Sequence, residues 1–106
     1  MSDQSAPPAA YTRFTGRFPE LATAWEHTAI AGKTGPLDEQ TRRLVKLAVA
    51  MGAQQEGAVH ASVRKALALG IEPEALEQVV ALAAGTIGMP PTVAAYTWVR
   101  DVLDES

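Results

Sequence analysis

With 106 residues, the chain has room for one hydrophobic core. Its 47% apolar and 20% charged residues place it in the globular range. A net charge of −3 argues against nucleic-acid and anionic-membrane partners, which favour a basic face. The absence of cysteine excludes disulfides, thiolate metal ligands and a CxxC redox pair.

Residues 1–10 read as a polar, Pro/Ala-rich tail that is expected to be disordered, and residues 11–106 as a single helical domain. The opening Met1-Ser2-Asp3-Gln4-Ser5-Ala6-Pro7-Pro8 has neither the basic n-region nor the apolar h-region of a signal peptide. No apolar run approaches the roughly 20 residues of a membrane span. The expected location is therefore the cytoplasm, with no membrane partner. Phe14, Phe18, Leu21, Ala22, Trp25, Ala29 and Ile30 supply an apolar set, and Pro19 and Gly32 suit a helix start and end. These signals predict a helix over 19–31. Lys33-Thr34-Gly35-Pro36 is a turn.

Asp38 is the predicted N-cap of the next helix, with Glu39 near its positive end. Leu44, Val45, Leu47, Ala48 and Met51 form the predicted inward stripe, with Glu39, Arg42, Arg43 and Lys46 opposite. Gly52 weakens or ends this helix. Another helix is predicted from about Gln55 to Leu69, stopped by Gly70 as its C′ glycine. Pro73 restarts the chain, and Leu76, Val79, Val80, Leu82, Ala83 and Ile87 mark the stripe of a further helix. Gly88-Met89-Pro90-Pro91 breaks it. The last helix, 91–104, carries Val93, Ala94, Trp98, Val99, Val102 and Leu103. No alternating run is long enough for a strand, so the fold class is all-α. Aromatic residues are only 6% of the chain and alanine is abundant, which points to close helix–helix contacts. So small a chain also gains from an oligomeric interface.

Both histidines fall on predicted helices. His27 has no second ligand-type residue at helical spacing and reads as structural or solvated. Glu56 precedes His60 by four residues, so the two side chains share a helix face, which continues through the apolar Val63 and Leu67. Polar groups on such a stripe need partners. Three readings stay open for this pair. Glu56 orients His60 as a general acid or base; the two are ligands of a divalent metal completed from elsewhere; or they form a structural hydrogen bond or subunit contact. No other cofactor is indicated. Arg42, Arg43 and Lys46 read first as a solvated helix face, with attraction of an anionic substrate as the functional alternative. Trp25, Tyr96 and Trp98 read as packing anchors.

The stretch from Leu37-Asp38-Glu39-Gln40-Thr41-Arg42-Arg43-Leu44 through Gly52-Ala53-Gln54-Gln55-Glu56-Gly57-Ala58 to Val63-Arg64-Lys65-Ala66-Leu67 resembles the carboxymuconolactone decarboxylase / alkylhydroperoxidase D-like family. Gly70-Ile71-Glu72-Pro73-Glu74-Ala75-Leu76, Thr86-Ile87-Gly88-Met89-Pro90 and Ala94-Ala95-Tyr96-Thr97-Trp98-Val99 fit the same pattern, and the resemblance spans roughly 14–104. It implies a compact domain of five or six helices assembled as a homotrimer or homohexamer. The redox branch of that family uses C-x-x-C-x-x-x-H and an acid on the preceding helix. Anchored on Val63–Leu67, the two cysteine positions fall on Gln55 and Ala58, the histidine on Ser62 and the acid on Arg43. Neither Gln nor Ala replaces a thiolate, so thiol peroxidase chemistry is not inherited. His60 stands two residues from Ser62, about 200° around the helix, so Glu56 and His60 face away from that thiol pocket. The expected function is a cysteine-independent acid–base enzyme of lyase or isomerase type. Its substrate would be a small organic molecule, such as a carboxylated one, with Glu56 and His60 catalytic and Arg43, Lys46 and Ser62 binding the substrate. The rivals are a shared metal site at Glu56 and His60, and a non-catalytic oligomeric or partner-binding member.

Overall fold

The structure, a computed structural model, describes residues 9–105. All six of its elements are helices: α1 (Ala9–Arg17), α2 (Pro19–Gly32), α3 (Glu39–Gly52), α4 (Glu56–Ala68), α5 (Pro73–Ile87) and α6 (Met89–Leu103). None is long and apolar enough to cross a membrane, among the described residues. Contacts divide them into two compact units, 9–37 and 38–105.

In the first unit, α1 and α2 pack on each other. Sequence patterning did not predict α1, and its first residues, Ala9 and Ala10, fall in the stretch read as a disordered tail. Residues 1–8 of that stretch lie outside the described residues. The helix stops at Arg17 because Pro19 disfavours the α region for Phe18, which adopts φ −128°, ψ 76°. Pro19 then occupies the first turn of α2, where its missing N–H costs nothing. The Phe14 and Phe18 rings meet at 5.4 Å across this corner, and the Arg17 guanidinium lies 4.7 Å over the Phe18 ring. No residue of α1 or α2 is buried.

The second unit holds the core. In it α3 packs on α4 and α5, and α6 packs on the same two helices, so the four close a ring in the order α3–α4–α6–α5. Leu47, Ala50 and Met51 enter from α3, Val59, Val63 and Ala66 from α4, Leu76 and Val80 from α5, and Ala95, Val99 and Val102 from α6. Each set repeats at three or four residues, the spacing that keeps side chains on one helix face. The predicted stripe of α3 is rotated: Val45 is 46% exposed and Ala48 is also exposed, while Ala50 is buried. A single amphipathic stripe cannot by itself distinguish the face that meets α4 from the face that meets α5.

Helix ends follow local rules. Asp38 caps α3 by accepting from the Thr41 N–H at 2.8 Å. Helices α3 and α4 both end in the same reverse turn. Gln54 N–H donates to Met51 and Gln55 N–H to Ala50; likewise Gly70 N–H donates to Leu67 and Ile71 N–H to Ala66. The left-handed residue is Gly70 in one (φ 83°) and Gln54 in the other (φ 56°). Gly52 therefore lies inside α3, and Gln54 makes the turn.

Candidate functional site

The sequence-predicted residues fall on two sides of α4. On one side His60 is half-buried, its side chain 21% exposed, and faces α6. Its Nε2 lies 3.0 Å from the Asp101 Oδ2. A carboxylate only accepts, so Nε2 is the donor in this contact, and in the neutral ring the lone pair falls on Nδ1. Asp101 had no sequence signal, since nothing in its local pattern ties α6 to a residue 41 positions earlier. The predicted partner, Glu56, is exposed on the turn before His60. One ligand atom of each of Glu56, His60 and Asp101 lies within 4.8 Å of those of the other two. Two carboxylates and an imidazole at this separation suit either proton transfer or a divalent cation.

One turn further along, Arg64 donates to the Glu105 carboxylate at 3.0 Å. The pairs 60–101 and 64–105 advance in the same direction on both helices, so α4 and α6 run parallel.

On the other side of α4, Ser62 is buried at 4% exposure and its hydroxyl accepts from the Arg43 guanidinium of α3 at 3.3 Å. Arg43 and Ser62, 19 positions apart in sequence, are therefore adjacent in space. Arg43 does not lie on a solvated face; burial at the seam pushes its guanidinium below the ordinary value, partly offset by Glu39. Lys65, one turn beyond Ser62, is lowered by burial and then by Arg43 and Lys46. Nearby, Ala58 is exposed, and the Gln55 side chain turns back to the Ala53 carbonyl at 3.5 Å. Arg43, Lys46 and Ser62 thus gather on the α3–α4 seam, whereas Glu56 and His60 gather on the α4–α6 seam. His27 is exposed on α2.

A cavity of about 570 Å³ opens between α3 and α5, lined by Leu44, Val45, Ala48, Val79, Leu82 and Ile87 among others, with no acid or base in its lining. In the helix ring this seam is opposite the one that carries His60.

Comparison with known proteins adds one finding. The model of the carboxymuconolactone decarboxylase family matches residues 19–101. No match was found among curated proteins or among solved structures.

Proposed function

We propose that this chain, which belongs to the carboxymuconolactone decarboxylase family, is a cysteine-independent acid–base enzyme acting on a small organic substrate. His60 is the proton-transfer group, Asp101 is its positioning residue, and Glu56 is the second carboxylate at the site. The observation that carries this reading is the 3.0 Å Nε2–Oδ2 contact, which supports the neutral tautomer in which Nδ1 acts as the base. Lyase or isomerase chemistry suits a site with two carboxylates, one imidazole and no thiol. With no thiolate in the chain, peroxidase chemistry of the redox branch is outside this reading.

The test is turnover on a panel of small lactones and unsaturated carboxylic acids, followed by ultraviolet absorbance and carbon dioxide release. His60→Ala should lower turnover by about 100-fold or more, the usual scale of a lost acid–base group. Asp101→Ala should lower it less, and both variants should keep the wild-type assembly. Full activity in His60→Ala would overturn the assignment.

A second reading has its own observation, the mutual 4.8 Å reach of Glu56, His60 and Asp101, which is compatible with three ligands to one divalent cation. Metal analysis of untagged protein tests it: stoichiometric metal that disappears in His60→Ala supports a metal centre. Metal content indifferent to that change argues against one.

The assembly belongs to the same proposal: a cytoplasmic homotrimer or homohexamer. Supporting it are Phe14, Phe18, Leu21, Trp25 and Ile30, which are 40–64% exposed along α1, α2 and the corner between them, in a unit with no buried residue of its own. Light scattering after size exclusion would show a trimer or hexamer; a monomer at micromolar concentration would overturn it.

A further inference from the structure

Three of the chain's nine Lys and Arg residues meet on one seam although the net charge is −3, so the cluster is no by-product of overall basicity. Arg43 and Lys46 are one turn apart on α3; Ser62 and Lys65 are one turn apart on α4. The Arg43–Ser62 hydrogen bond sets the register of the two pairs. We propose that this seam binds a small oxyanion, a carboxylate or phosphate group, held by Arg43, Lys46, Lys65 and the Ser62 hydroxyl.

The geometry supplies what such a group requires. Ser62 accepts from Arg43 and therefore keeps its own proton to donate. Arg43 reaches into the seam to a buried hydroxyl with one of its five N–H donors and is itself only half-buried. Among the described residues Arg43, Lys46 and Lys65 make no ion pair, whereas His60, Arg64 and Arg100 each make at least one. Glu39, exposed in the first turn of α3, acts on Arg43 only through the longer-range field. Like charges packed this way repel, and partial burial weakens their hydration; an oxyanion would relieve both at once. The proposal stands apart from the one for His60, which faces α6 from the opposite side of the same helix.

The test is titration of the full chain at low ionic strength with sodium phosphate and, separately, with succinate, against sodium chloride as control. Amide shifts in two-dimensional NMR are the readout. Saturable shifts at Arg43, Lys46, Ser62 and Lys65 are expected with at least one of the two anions, beyond any chloride response. Phosphate alone, succinate alone or both then identifies the group preferred. Arg43→Gln and Lys65→Gln should each weaken binding by about tenfold or more, as expected for a lost charge-assisted hydrogen bond. His60→Ala should bind as wild type whatever becomes of its catalytic assignment. Shifts no larger than with chloride, or wild-type affinity in both Arg43→Gln and Lys65→Gln, would overturn the site. Lys65 is only partly desolvated and keeps an exposed edge, so its substitution keeps the test informative if Arg43→Gln loses its fold.

Discussion

His60 and Asp101 are separated by 41 residues in sequence and 3.0 Å in space, and Arg64 and Glu105 repeat that relationship one turn along. These two rungs clasp the parallel helices α4 and α6 at the seam where the proton-transfer site is proposed. Both are partly solvated, with Asp101 56% and Glu105 46% exposed. Each should therefore contribute only about 0–1 kcal/mol. Urea unfolding of Asp101→Ala, Glu105→Ala and the double variant should show two small losses. A loss well above 1 kcal/mol for Asp101→Ala would mean that its effect on turnover reflects unfolding rather than positioning.

Lys65 yields a pH prediction with a definite sign. Its folded value lies below the ordinary 10.5 through burial, then through Arg43 and Lys46. The unfolded chain therefore binds this proton more tightly, and stability rises as pH climbs from the folded value toward the unfolded one. Melting temperature against pH should show that rise in the wild type and a weaker one in Lys65→Met. At neutral pH Lys65→Met should be at least as stable as the wild type. A lower melting temperature there would contradict the repulsion inferred at the seam.

Asp38 has the opposite sign. Hydrogen bonds from the Thr41 backbone N–H and then its side chain hold this carboxyl below the ordinary 3.8. The cap therefore contributes fully above that unfolded value and is lost as pH falls through the depressed folded value. Asp38→Ala should melt a few degrees below the wild type at neutral pH. The gap should close in acid; a gap that persists under strongly acidic conditions would show that Asp38 stabilises by something other than its charge.

The matched ends of α3 and α4 give a conformational test. Gly70 sits at φ 83° with nothing within 4 Å of an added Cβ, so Gly70→Ala should cost about 1–2 kcal/mol through the backbone alone. Gln54 already bears a left-handed conformation at φ 56°, partly offset by its side-chain bond to the Met51 carbonyl at 2.7 Å. Gln54→Gly should thus leave stability unchanged or raise it by a few tenths of a kcal/mol. Chemical unfolding of both variants would reveal the asymmetry; a Gln54→Gly loss as large as that of Gly70→Ala would contradict it.

Much of this protein was determined by sequence alone, where local chemistry is decisive. Asp38 as a cap, Gly70 as a stop, Pro19 and Pro73 as first-turn residues, and Leu76, Val80, Val99 and Val102 as core positions of α5 and α6 all follow from patterns within a turn or two of the chain. Leu82 and Val93 of the predicted stripes are instead 71% and 52% exposed. The family resemblance and the missing thiols are likewise properties of residue order and identity. Helix α1 was not read because it is short and mostly polar, with Tyr11 and Phe14 as its only large apolar residues, although its end just ahead of Phe18-Pro19 is a local effect. The rotation of α3 was not legible either, since two neighbouring helices compete for its faces.

The candidate sites were decided by tertiary structure. Glu56 and His60 could be paired from their spacing of four, but the hydrogen-bond partner of His60 comes from α6, and no local pattern reaches across 41 residues. Arg43 read as a surface charge until α3 packed on α4 and brought it to Ser62. Hydrogen bonds and desolvation act at contact distance, so the chemistry of these residues depends on which helix lies beside them. That pairing is set by how the core side chains of four helices pack together.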